Sequence, residues 1–171
     1  MTYAFLRVAV IFSISAPSLL PQAAGLGQGW LPEFNLAARQ TLEIAEAIPS
    51  DKYAWRPGPG VRSVAQVFIH TIQANLGLLR QAGVQPSVDF STVPAEAAAL
   101  DKAEVIKWLK ASFEAVRVSY PTADLKKKIQ FLKRDSSVDS VFLRILVHNH
   151  EHMGQSIAYA RMLGVAPPWS K

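Results

Sequence analysis

The chain has 171 residues, half of them hydrophobic, with 18 Lys and Arg against 13 Asp and Glu and a formal charge of +5. It contains no cysteine, which excludes a disulfide framework, a thiolate metal site and a cysteine nucleophile. Its one basic cluster, Lys126, Lys127 and Lys128 with Lys133 and Arg134, follows no aromatic-interleaved pattern. It reads as a solvated surface, and no nucleic-acid partner is expected.

Arg7 is the only charge before Glu33, and an apolar run from Val8 to Ile14 follows it. Ser15, Ala16 and Pro17 lead on to Leu19 and Leu20, and small residues come next at Ala23, Ala24 and Gly25. A basic start, a short apolar stretch and a small-residue end predict a secretory signal peptide over residues 1–25. The run is short and carries Pro17, whereas a membrane span needs roughly 20 apolar residues, so no stable span is expected after processing. An uncleaved anchor is the alternative. The expected location is periplasmic or secreted. About 145 residues then remain, enough for one domain with a real core, which we place at residues 30–171.

Four segments carry helical periodicity. The first runs from Phe34 to Ile48 with Phe34, Ala38, Thr41, Ala45 and Ile48 on one stripe, and Pro49 stops it. Trp55-Arg56-Pro57-Gly58-Pro59-Gly60 cannot be helical and predicts a rigid, turning connector. The second helix opens at Ser63 with Gln66 in capping-box register and runs to about Gly83, its inward stripe being Val67, His70, Thr71, Ala74 and Leu78. Asn75 falls off that stripe and reads as a helix-surface or helix-contact polar group. Residues 87–95 form a longer crossover. The third helix spans Asp101 to Tyr120, with Val105, Trp108, Leu109, Ser112 and Val116 inward and Pro121 ending it. A connector from Leu125 to Ser137 includes Ile129-Gln130-Phe131-Leu132, which is suited to a brief extended stretch. The fourth helix, from Val138 to Leu163, puts Val141, Ile145, His148, His152, Tyr159 and Met162 in register, and Gly164 is its left-handed cap. Four amphipathic helices with long connectors predict an all-α four-helix bundle with crossover connections.

Three of the four histidines lie within Val147-His148-Asn149-His150-Glu151-His152. His148 and His152 are one helical turn apart, so their imidazoles share a face and can hold two corners of one transition-metal ion. His70, inward on the second helix, supplies a third. A lone histidine on an apolar face is more often a hydrogen-bonded core residue, but two imidazoles on one face have little reason to be there without a shared cation. His150 lies roughly 200° around the helix from His148 and belongs to the surface or to an outer shell. On a strand all three C-terminal histidines would share a face, a reading that the helical pattern from Val141 to Met162 opposes. No His-Glu-x-x-His zincin motif is present. Glu151 is poorly aimed as a base or fourth ligand, Gln155 is placed to line an open side, and Tyr159 packs or donates a hydrogen bond there. Trp55 is a third candidate wall, with a plain aromatic plug as the alternative, and no role is assigned to Trp169. Catalytic residues are not identified by the sequence.

These residues resemble the DinB/YfiT-like superfamily of metal-dependent enzymes. The likeness rests on Trp55-Arg56-Pro57 with Val61-Arg62-Ser63, on His70 with Asn75, and on His148-Asn149-His150-Glu151-His152-Met153-Gly154-Gln155. Tyr159-Ala160-Arg161, Gly164 and Pro167-Pro168-Trp169-Ser170 complete it. The resemblance implies a four-helix bundle with metal ligands at His70, His148 and His152. It also implies a divalent ion (zinc first, then nickel or iron) and a small-molecule substrate, with hydrolase or thiol-dependent transferase chemistry. Export weakens the thiol reading, because such thiols are chiefly cytoplasmic. A non-catalytic metal-binding or structural module is the competing function class, and a homodimer is left open.

Overall fold

Helix α1, Trp30–Ala47, begins before the apolar stripe that announces it. Trp30 stacks on Phe34 at 5.2 Å and on Tyr120 at 4.1 Å, and its Nε1 donates to the Phe142 carbonyl at 3.0 Å. These contacts hold the first turn, which has no side-chain cap at Gly29. The structure, a computed structural model, describes residues 26–86, 88–95 and 101–170. The expected signal peptide therefore lies outside the described residues. No helix among those described is long and apolar enough to cross a membrane.

Helix α2, Val64–Gln81, starts on a complete capping box, with Ser63 Oγ accepting from the Gln66 amide and Gln66 Oε1 from the Ser63 amide. It ends in a Schellman motif at Gly83, where a φ of 74° suits glycine and Val84 N–H returns to the Leu79 carbonyl. Helix α3, Lys102–Ser119, is capped by Asp101, whose carboxylate accepts from the Glu104 amide. Its Lys102 ammonium donates to the Glu46 and Ile48 carbonyls, which caps the C-terminus of α1 with a positive charge. Helix α4, Val138–Met162, is capped by Ser137 and closes on Gly164.

Among the described residues the architecture is the expected bundle of four helices with one small sheet added, and only that hairpin departs from the all-α expectation. Strands β1, Lys128–Phe131, and β2, Arg134–Ser137, pair antiparallel with Phe131 opposite Arg134. Leu132 and Lys133 make the two-residue turn at φ 51° and 62°, the left-handed geometry that matches strand twist. The topology is not a simple hairpin series, in keeping with the expected crossover connections. Helices α1 and α2 each pack against α3 and α4, so α1 lies diagonally from α2 and α3 from α4. The chain thus crosses diagonals through residues 48–63 and 120–137. The stretch 87–95, expected as the longer crossover, falls between the neighbours α2 and α3.

One apolar core fills the bundle, led by Phe34, Phe68, Phe113 and Phe142 with Ile44, Ile69, Ile72, Leu76, Leu109 and Ile145. The stripe expected for α1 is fully buried. On α2 the buried face is rotated relative to expectation. Phe68, Ile69, Ile72, Leu76 and Leu79 are its centre, and His70, Ala74 and Leu78 lie at its edge, half-buried. On α4, Met162 is exposed rather than inward. Asn75 is not a surface group. It is fully buried in a polar node, donating to Ser112 Oγ and accepting from Asn149 Nδ2, which also donates to the Ile145 carbonyl.

Candidate metal centre

Edge placement on α2 and the one-turn spacing on α4 bring His70, His148 and His152 together between the two helices. His148 Nε2 lies 3.2 Å from His70 Nε2 and 3.1 Å from His152 Nε2. All three candidate ligand atoms fall within 4.8 Å of one another. Nitrogens bound to one ion at about 2.1 Å stand roughly 3.0–3.4 Å apart in octahedral or tetrahedral geometry. The two separations from His148 fall in that range, whereas that between His70 and His152, up to 4.8 Å, is wider, so those two rings must close toward an ion as it binds.

Hydrogen bonding alone does not account for the cluster. An imidazole nitrogen has one in-plane position, filled either by a proton or by a lone pair, and so serves one partner. His148 Nε2 faces two partners at hydrogen-bond distance. A cation in front of three lone pairs would satisfy the three ligand nitrogens at once, so the residues present fit a divalent ion. The cluster can hold a metal ion, and among the described residues no carboxylate joins it.

Electrostatics keep the central imidazole neutral. Burial, then the charges that His152, His70 and Arg144 would carry or do carry, pushes His148 down to about 4, with Glu151 opposing. The unfolded chain binds that proton near the ordinary histidine value of about 6.5, so it holds more protons than the folded state between those limits. In metal-free protein this contribution to stability is therefore complete above about pH 6.5 and is lost as pH falls toward 4. Thermal melts of chelator-treated protein should fall across that window, and His148→Ala should flatten the slope. An equal slope in the variant would show that other groups carry the acid sensitivity.

The flanking residues behave differently from expectation. Glu151 is neither ligand nor free base, because Arg144 donates to its Oε1 at 3.1 Å and to its Oε2 at 3.0 Å. That pairing holds its carboxyl below the usual range. His150 is half-buried and stands apart from the cluster, as helix rotation requires. Gln155 and Tyr159 do not border an open side. Gln155 Oε1 lies 2.8 Å from His152 Nδ1, and Gln155 Nε2 donates to Tyr159 Oη at 3.0 Å, so both stand behind the His152 ring. Trp55 packs edge-on against Tyr159 with ring centroids 5.5 Å apart, the plug role. The cavity that reaches the cluster lies toward the other end of the α2–α4 groove. It measures about 270 Å³ and is lined by Gln73, Ala74, Gly77, Leu78 and Gln81, by Phe131 and Leu132 of the hairpin, and by Arg144 and His148. Neither Arg144 nor the hairpin tip, foreseen only as a brief extended stretch, was expected beside the cluster. The signal available for Arg144 was its position one turn before His148, whereas nothing marked Leu132 as a wall of the site.

Comparison with known proteins agrees with the geometry. The family model of the DinB superfamily matches residues 33–156, which contain all three clustered histidines. The chain belongs to the DinB superfamily. Among solved structures, a DinB-like protein from Bacillus cereus shares the fold at a TM-score of 0.66 and 17% identity, covering 83% of this chain and 95% of that one. A DinB-like protein from Bacillus subtilis gives a TM-score of 0.57 at 16% identity, covering 79% and 91%. At these identities the likeness establishes the DinB fold alone. No curated protein matches the chain.

Proposed function

We propose that this DinB protein is exported and binds one divalent ion through His70, His148 and His152, using it as a metal-dependent enzyme on a small molecule. The carrying observation is His148 Nε2 within 3.2 Å of two other imidazole nitrogens, a contact set that suits a shared cation better than a single ring proton. Zinc is the first choice, then nickel or iron(II), because an all-imidazole set suits all three. Three protein ligands leave coordination open to water or substrate, the arrangement of catalytic rather than structural zinc. A bound ion there supplies Lewis acidity, polarising a substrate oxygen or acidifying a bound water.

The chain's own part is to shape the approach. Leu78, Phe131 and Leu132 give the adjoining cavity apolar walls, while Gln73, Gln81 and Arg144 offer polar groups. About 270 Å³ is small for a ligand site and suits a compact molecule with an apolar body and a polar head. Hydrolysis fits an exported protein better than thiol transfer. Export itself rests on the reading of residues 1–25 as a signal peptide, and fractionation of expressing cells checks it.

The test is metal analysis and zinc titration of the purified protein, followed by azide titration of the cobalt-substituted form. We expect one ion per chain, removable by chelator, and an azide-dependent change in the cobalt spectrum. An ion that resists chelation and ignores azide would instead indicate a closed structural site. No stoichiometric binding of any of the three metals would overturn the proposal.

A further inference from the structure

We propose that Gln155 is a positioning residue that sets the protonation pattern of His152, and that the backbone carbonyl of Arg62 dictates it through Tyr159. The inference rests on His152 presenting Nε2 to the ion. Its starting point is a chain of contacts at 2.8 Å (His152 Nδ1 to Gln155 Oε1), 3.0 Å (Gln155 Nε2 to Tyr159 Oη) and 3.2 Å (Tyr159 Oη to the Arg62 carbonyl).

The direction of that chain is forced from its far end. A carbonyl oxygen only accepts, so the single phenolic proton of Tyr159 points at Arg62. The Tyr159 oxygen then accepts, which requires the amide nitrogen of Gln155 to face it. The amide oxygen of Gln155 is thereby turned to His152, and Nδ1 of His152 must carry the proton. A neutral imidazole has one ring proton, so Nε2 keeps its lone pair directed at the cluster. Flipping the amide would leave the Arg62 carbonyl without the tyrosine proton and place a proton on Nε2, where a metal must bind.

The anchor is itself rigid. Arg62 immediately precedes the Ser63 capping box, the Val64 amide donates to the Trp55 carbonyl at 3.0 Å, and the Trp55 ring braces Tyr159. The Trp-Arg-Pro connector thus has a task that its distance from the histidines in sequence conceals. Tyr159 is buried and Gln155 half-buried, so water competes poorly for the relay. His148 lacks such support, since its buried Nδ1 has no hydrogen-bond partner among the described residues. His152, in contrast to His148, is a ligand whose tautomer the protein fixes.

The experiment has one arm without metal and one with it. Nitrogen-15 NMR of the metal-free protein should show His152 protonated at Nδ1 in the wild type. The Gln155→Leu variant should show mixed or Nε2 protonation, and Gln155→Glu should restore Nδ1. Zinc titration should then show about 10- to 100-fold weaker binding in Gln155→Leu, the usual cost of losing an outer-shell partner, with Gln155→Glu at wild-type affinity or tighter. Circular dichroism of each variant checks that the fold is kept. Wild-type His152 protonated at Nε2, or Leu and Glu variants alike in both tautomer and affinity, would overturn the inference. A wild-type protein with the Nδ1 tautomer and no zinc binding would uphold the positioning and overturn the metal assignment instead.

Discussion

Replacing His148 with alanine should abolish stoichiometric metal binding, the largest functional effect expected of any single change. His148 is the hub of the cluster, with its Nε2 within 3.2 Å of both partners. Without it, His70 and His152 remain on different helices with no one-turn chelating pair. His70→Ala keeps that pair on α4 and should lose less. Outer-shell substitutions cost about 10- to 100-fold in affinity, so loss of the hub ligand should exceed about 100-fold in zinc titration. The metal-free variant should stay helical by circular dichroism, because the imidazole is not part of the apolar core. Removing a buried group with an unpartnered nitrogen also takes away a desolvation cost. An unfolded variant beside a wild type that is stable without metal would make His148 a structural residue and defeat the assignment.

The pairing of His148 with His152 was legible because it depends only on helix periodicity, whereas the meeting of His70 with them also depends on how α2 packs against α4. The His148–His152 spacing fixes one face of α4. The Ser63–Gln66 box fixes the start of α2 and therefore the register of His70. Proline and glycine punctuation set the helix ends to within a few residues, and the glycine cap at Gly164 has the expected positive φ of 75°. What the sequence left open is tertiary in origin. Trp30 extends α1 by a turn because Tyr120 and Phe142 wait for it, and they come from distant parts of the chain. The hairpin turn uses Leu132 and Lys133 in a conformation that Asn-Gly usually marks, so no turn signal exists there.

Polar residues misled for a related reason. Asn75, off the expected stripe of α2, reads equally as a surface or a helix-contact group, and Ser112 and Asn149, meeting it from two other helices, decide for contact and make its burial tolerable. Gln155 looks like a wall of an open site, and only the position of the Arg62 carbonyl turns its amide toward His152. Such residues take their roles from partners that periodicity cannot name. The inward reading of Met162 failed more simply. The last turn of α4 carries it out to solvent, where the helical repeat continues but has nothing to pack against.

Phe142→Ala should give the largest stability loss, about 3–5 kcal/mol for a fully buried phenylalanine. Its ring is 0% exposed and meets the edges of Trp30 at 5.4 Å and Tyr120 at 5.3 Å, joining α4 to the ends of α1 and α3. Alanine would leave a cavity beneath a stacked pair of aromatics that neither ring can fill without leaving the other. The Trp30 Nε1 bond to the residue-142 carbonyl survives the substitution, so the loss reads packing rather than hydrogen bonding. Melting should fall by on the order of 10 °C. Leu143→Ala, next in sequence and 54% exposed, should stay within about 0.5 kcal/mol of the wild type. Zinc affinity of folded Phe142→Ala should match the wild type, because Phe142 is not among the three clustered histidines or in the hydrogen-bond chain behind His152. Equal losses from Phe142→Ala and Leu143→Ala would mean that this end of the bundle is not packed as described. A large affinity loss in Phe142→Ala would mean that the histidine cluster depends on the aromatic end of the bundle for its geometry.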